Sequence, residues 1–357
     1  MSSHGFGAAE LEAARAPLER ASTLPTRAYT DPAFFARERE RIFAREWIAV
    51  ARLEQVAAVG DFVAKSVAGE PIVIVRGQDG RVRALSRVCR HRSALLVEGA
   101  GRADTLECPY HRWAYGLDGK LLAAPLMPGA RDFERSEIRL PEYRVEIWGG
   151  FIYVNLDREA APLGPCIAPL ARELAGLSLE DLRIARTLEF DSPWNWKVLV
   201  DNFMESYHHL GPHRATLLPL FPAADTYAVE SDGPWALLVN PPQQGDVGTL
   251  LVANIFPCHL FALFPDHGFW YELELESAFR FALRIHALVP QSWLEDPAKA
   301  PEIDAIVGGL EHVHREDIAI CNSVWRGLRS QAAAPGRYSP LERALWQFNQ
   351  WWLARVA

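Results

Sequence analysis

The chain has 357 residues, 49% of them hydrophobic, and its 37 Lys and Arg against 45 Asp and Glu leave a net charge of −8. That length suits two domains, and an acidic balance without a long basic stretch argues against a nucleic-acid partner. No apolar run reaches bilayer length and the opening MSSHGFGAAELEAARAPLER has no apolar signal core, so the expectation is a cytoplasmic protein outside the membrane.

The first ~20 residues, rich in Ala, Glu and Arg, read as a mobile arm. A helix follows: Thr30 or Asp31 can cap it, Pro32 suits its first turn, and Phe34, Phe35, Ile42 and Phe43 give the apolar spacing. Residues 60–155 change character. GDFVAKSVAG, EPIVIVRG, RVRALSRV and VEIWGGFIYVNL are short β-branched runs between turn-like GE, QDG and LDG stretches, so this part reads as a small all-β module. Residues 156–357 read as α+β. Helices are expected over 165–176, 195–210, 301–329 and 340–355, and strands over 183–190, 226–231, 235–240, 249–256, 259–264, 269–276 and 279–289. Adjacent strands with long helices suggest an antiparallel sheet wrapped around a helix.

Two patterns carry chemistry. The first is Cys89-Arg-His91 and Cys108-Pro-Tyr-His111, with sixteen residues between His91 and Cys108. Five scattered cysteines argue against a disulfide framework, and two of them stand beside histidines. Two thiolates and two imidazoles can bind zinc, but zinc fingers usually place Cys with Cys and His with His. Here each β-loop supplies one of each, which suits a [2Fe–2S] cluster with both Cys on one iron and both His on the other. The second pattern is NWKVLVDNFMESYHHLGPHRAT. Glu205 and His208, three apart, share a helix face. Gly211-Pro212 ends the helix, so His213 can fold back beside His208. Two such histidines supply part of a facial triad for iron(II), whose third member is a carboxylate. An amphipathic stretch, HREDIAICNSVWRGL, offers Glu316 and Asp317.

These residues resemble a known family. CRHRSALL and CPYHRWAYGLDGKL resemble the two cluster loops of Rieske domains in ring-hydroxylating oxygenase α subunits. Ser93 stands where that family often has Gly, which implies a local adjustment of the loop. Trp113 and Tyr115 follow the second loop and are expected to shield the cluster. DNFMESYHHLGPH resembles the family pattern Asp/Glu-Asn-x-x-Glu/Asp-x-Tyr-His-x-x-x-x-His, which implies His208 and His213 as iron ligands and leaves His209 outside. The resemblance places the carboxylate ligand on a late helix and selects Asp317. It implies that Glu205 bridges a cluster histidine of one subunit to an iron histidine of its neighbour, from His111 through Glu205 to His208. Glu at that position resembles the branch acting on choline, betaine or carnitine.

The resemblance runs from LPTRAYTDPAFFARERERIF to GRYSPLERALWQFNQWWLARV. It implies an α+β fold in which a Rieske domain (46–157) is inserted in a helix-grip catalytic domain (158–357), with an arm and helix (1–45) packing on the latter. It also implies a homotrimer and a terminal oxygenase fed from NAD(P)H by a separate reductase, with or without a ferredoxin. No Rossmann-type glycine fingerprint marks a nucleotide site in the chain itself. With O₂ it would hydroxylate or demethylate a small organic substrate, an aromatic compound being favoured and a quaternary ammonium compound the alternative. Asn202, Leu217, Phe261 and Phe269 are the pocket candidates, and Trp235, Phe264, Trp270 and Tyr271 could join them or cage a cation. A pure electron carrier would need neither residues 160–357 nor the His208/His213/Asp317 set, and a binding protein of the same fold would have no reason to keep them.

Overall fold

A computed structural model describes residues 5–243 and 247–357. The chain divides into two units, one of residues 43–162 and one of residues 1–42 with 163–357. Each is described by itself.

The smaller unit is all β. Its strands are β1 (Ile48–Arg52), β2 (Asp61–Val67), β3 (Glu70–Arg76), β4 (Val82–Ser86), β5 (Ala100–Arg102), β6 (Leu106–Glu107), β7 (Ala114–Tyr115), β8 (Leu121–Ala123), β9 (Glu142–Trp148) and β10 (Phe151–Asn155). Seven form one sheet in the order β1-β10-β9-β4-β3-β2-β5, and β6-β7-β8 form a second. β-branched residues alternate on β3: Val73 and Val75 pack in one core with Cys89, Cys108 and Tyr115, while Ile72 and Ile74 pack in another. The two cysteine loops thus hang from a core that reaches their thiols.

The larger unit holds β11 (Leu182–Ser192), β12 (Tyr227–Val229), β13 (Trp235–Asn240), β14 (Leu250–Ile255), β15 (His259–Leu263), β16 (Gly268–Ser277) and β17 (Arg280–Pro290). They make one antiparallel sheet in the order β11-β17-β16-β15-β14-β13-β12. The long helix Ala300–Leu328 lies against β11 and β17. It buries Ile303, Leu310, His314, Asp317, Cys321 and Trp325, a stripe at helical spacing. Each strand and helix expected in this half is present.

Two expectations need correction. The opening residues are no mobile arm: Ala8–Arg15 is a helix that buries Leu11 and Ala14, and residues 1–4 lie outside the described part. Phe6 anchors it, its ring 4.6 Å from Phe34 and 6.2 Å from Trp352. The helix expected over 195–210 runs only from Trp196 to Phe203, followed by a 3₁₀ turn at Tyr207–Leu210. The Glu205 carboxylate accepts the His208 backbone N–H at 2.9 Å, so the side chain replaces a helical carbonyl partner at the break.

Asp31 caps the helix Pro32–Glu38, as anticipated, by accepting from the Ala33 N–H. Its last residue, Glu38, is fully buried and pairs with the equally buried Lys197, while Trp196 and Trp352 each donate an indole N–H to it at 2.8 Å. This charged knot ties the N-terminal segment and the C-terminal helix Arg343–Val356 to the helix that leads into the histidine segment.

Candidate active site

The two cysteine loops repeat one backbone design. Each Cys N–H donates to the carbonyl five residues on, Cys89 to Ala94 and Cys108 to Trp113, both at 2.8 Å. Each Cys carbonyl accepts from the residue four on, Ser93 or Arg112, both at 3.0 Å. Those fourth residues are both left-handed, with φ of +58° and +59°. At Ser93 the two hydrogen bonds hold a backbone conformation that glycine would take without strain.

Cys89 and Cys108 are buried, and the Nδ1 atoms of His91 and His111 face each other at 3.1 Å. Two thiols and two converging imine nitrogens are the donor set of a histidine-ligated [2Fe–2S] centre, so the residues fit that group. Trp113 stacks on His91 at 4.7 Å, and the buried Tyr115 hydroxyl lies 3.4 Å from Cys89 Sγ. Both aromatics therefore shield the thiol and imidazole side, as expected.

In the larger unit, donor atoms of His208, His213 and Asp317 lie within 4.8 Å of one another. The Nε2 atoms of both histidines face one carboxylate oxygen, Asp317 Oδ1, at 3.7 Å from His208 and 2.9 Å from His213. Each histidine is held from behind. His208 Nδ1 is 2.9 Å from Glu205 Oε1, and His213 Nδ1 is 2.7 Å from Glu316 Oε2. A carboxylate on Nδ1 fixes the ring and leaves Nε2 for a metal. Two imidazoles and a carboxylate with an open side fit a mononuclear iron(II).

Burial raises Asp317, but the His213 hydrogen bond, both imidazoles and the Asn202 amide outweigh it and hold its carboxyl below the usual range. Glu316 behaves likewise: burial raises it, and His213 and Thr216 bring it below its ordinary value. Asn202 Nδ2 donates to Asp317 Oδ1 at 2.8 Å, and the Thr216 hydroxyl to Glu316 Oε2 at 2.8 Å. Burial drives the His209 pKa down to about 4, and its Nδ1 meets the Phe221 carbonyl at 3.0 Å. His209 is thus a core histidine, in keeping with its place outside the sequence pattern.

Sequence reasoning weighed Glu316 only as a rival ligand and missed its role behind His213. A signal was present. Asp317 falls on the buried stripe through Leu310 and Cys321, and Glu316 falls beside it.

A cavity of about 380 Å³ opens on this cluster. Asn202, Leu217 and Phe269 line it, as expected, with Phe264 and Tyr271. Phe261, Trp235 and Trp270 do not. Phe261 pairs with Trp270 across β15 and β16, and Ala262 with Phe269, so the two pairs point to opposite faces of the sheet. Ala262, Phe269 and Tyr271 face the cavity, and Phe261 packs behind it with its ring 4.7 Å from His259. Phe203, which the sequence reading passed over, also lines it, its ring 4.8 Å from Tyr271. Among the described residues no Lys or Arg lines it, whereas Glu205 and Asp317 do.

No helix among the described residues is long and apolar enough to cross a membrane. Residues 46–143 match the Rieske [2Fe-2S] domain, and residues 179–357 match the ring hydroxylating alpha subunit (catalytic domain). The chain is 31% identical over 329 residues to the carnitine monooxygenase oxygenase subunit of Escherichia coli (strain K12), covering 88% of this chain and 86% of that protein. It is 30% identical over 362 residues to the chloroplastic choline monooxygenase of Spinacia oleracea, covering 94% and 78%. A crystal structure of the quaternary ammonium Rieske monooxygenase CntA with an inhibitor superposes at a TM-score of 0.88 and 26% identity, over 97% of this chain and 98% of that one.

Proposed function

Because the chain belongs to the ring-hydroxylating oxygenase α-subunit family, we propose that it is a terminal oxygenase acting on a small quaternary ammonium compound. As a family member it is an oxidoreductase that uses O₂ with electrons from a separate reductase, and it carries a [2Fe–2S] cluster and a mononuclear iron. The cluster supplies single electrons, and the iron supplies O₂ activation. In the proposed reaction one oxygen atom enters a substrate C–H bond, the other leaves as water, and NAD(P)H provides the two electrons.

The chain's own residues do the rest. In this reading Cys89, His91, Cys108 and His111 hold the cluster, and His208, His213 and Asp317 hold the iron. Glu205 orients His208 and, in a trimer, would link it to the cluster histidine of a neighbouring subunit. Asn202 fixes the rotation of the Asp317 carboxylate by donating to Oδ1.

The observation that carries the substrate reading is the aromatic lining of the cavity and its lack of basic side chains. Phe203, Phe264, Phe269 and Tyr271 line it, and among the described residues no Lys or Arg does. A quaternary ammonium ion has no N–H to donate, so aromatic faces free of competing cations are what can recognise it. The aromatic substrate favoured from the sequence gives way to this alternative, which the relatives also support.

The test is a turnover screen with a surrogate reductase, following NADH and O₂ consumption and product mass. Choline, carnitine and betaine are compared with a neutral trimethyl-carbon isostere of choline and with simple aromatic hydrocarbons. Coupled consumption with a trimethylammonium compound, and a product that gains one oxygen or loses a methyl, supports the proposal. Equal or better turnover of the isostere or of an aromatic compound overturns it.

A further inference from the structure

Charge is unevenly divided in this acidic chain. Residues 43–162 hold 17 Lys and Arg against 16 Asp and Glu, a net +1, and the remaining residues hold 20 against 29, a net −9. Within the smaller unit the positive charge gathers on one open groove of about 750 Å³. Arg81, Arg90, Arg139, Arg144 and Arg158 line it, and Glu142 is its one carboxylate. Arg81, Arg90, Arg139 and Arg158 are exposed, and no ion pair engages them among the described residues. Arg139 donates to the Asp118 carbonyl at 3.0 Å, and Arg144 to the Ala160 carbonyl.

The groove has a short connection to the cluster site. Arg90 directly follows Cys89, its backbone N–H donates to the Tyr115 hydroxyl at 2.9 Å, and that oxygen is 3.4 Å from Cys89 Sγ. We propose that this groove docks an acidic face of the electron-donating protein, and that electrons enter the cluster through Arg90 and Tyr115 at Cys89. On each docking the reduced donor loses one electron and the oxidised cluster gains it. His91, though exposed, is not among the residues that line the groove.

Two features favour a transient protein donor. Five guanidinium groups spread over one groove would leave most of their charge unneutralised by a single small anion. None of the apolar lining residues is a strongly exposed large hydrophobic, so the face is polar and wet, like a redox encounter surface and unlike a permanent subunit interface.

The test uses the full-length holoenzyme and the reductase that supports its turnover. Arg81→Glu with Arg158→Glu is compared with the wild type and with Arg131→Glu, an exposed arginine of the same unit outside the groove. Dithionite reduction of the visible chromophore checks that every variant holds its cluster, which separates failure of this inference from failure of the oxygenase reading. The double reversal should raise the KM for reductase roughly tenfold to a hundredfold and flatten its dependence on salt, with kcat at saturating reductase within about twofold. An unchanged KM, an equal rise in Arg131→Glu, or a wild-type KM indifferent to salt overturns the proposal. A changed oligomeric state by light scattering that accounts for the loss also overturns it, because the face then belongs to a second copy of the chain.

Discussion

Glu316 Oε2 lies 2.7 Å from His213 Nδ1, on the side of the ring away from Asp317. The contact joins a histidine just past a turn to a carboxylate one residue before the acid that faces its other nitrogen. It makes Glu316 a positioning residue, with Thr216 steadying it.

Removing it should loosen the metal without unfolding the site. Glu316→Ala is expected to raise the dissociation constant for iron(II) about 10- to 100-fold, and Glu316→Gln less, since its amide oxygen can still accept from Nδ1. Metal titration of the apo-protein measures this, with the visible cluster spectrum as an internal control. Full iron retention in Glu316→Ala would show that the contact does not position His213.

His213→Ala should remove one iron of about three per protomer and abolish turnover while the cluster spectrum stays. Iron quantitation beside a reductase-coupled assay reads both at once. Turnover that survives the change would sink the assignment of the iron site.

Ser93 sits at φ +58° in the first cysteine loop, where a Cβ is strained. Ser93→Gly should stabilise the smaller unit by on the order of 1 kcal/mol, the cost of a left-handed non-glycine residue. The reading is the thermal midpoint for loss of the visible chromophore. A fall in that midpoint would mean that the hydroxyl makes a contact worth more than the strain.

The two sheet faces give an opposed pair. Phe269→Leu should raise the KM for substrate, because its ring lines the cavity. Phe261→Leu should leave KM in place and lower stability by about 1 kcal/mol, because it packs on the other face. Equal KM shifts in both variants would contradict the register that separates them.

Asp201 offers a pH signature. Burial lifts its carboxyl from 3.8 to about 7, against the Tyr29 hydroxyl, which donates at 2.5 Å, and against Lys197. Glu342 and Glu205 push it further up. The folded state thus binds this proton more tightly than the unfolded chain. Stability contributed by the proton is full below about 4, falls as pH rises to about 7, and is level above that. Asp201→Asn should remove its share of that slope in urea midpoints measured from pH 4.5 to 8. An identical slope in the variant would assign the proton to another group, Glu342 being the other carboxyl that is raised.

Many of the local signals were in the sequence. Cys-x-His and Cys-x-x-His in β-loops, His208 and His213 around Gly211-Pro212, and the strand and helix periodicities of the second half need only neighbours a few residues apart. Tertiary packing decided the rest. Glu316 and Asp317 are adjacent on one helix and so point about 100° apart, and the rotation of that helix against β11 and β17 turned Asp317 to the histidines and Glu316 behind one of them. Phe261 and Phe269 have the same composition signal, and only the pairing of β15 with β16 sent one to the cavity and the other behind it. The five groove arginines come from distant turns and strands that a sheet brings together. Local sequence sets the period of an element, but which face meets the metal, the substrate or solvent is fixed by what packs against it.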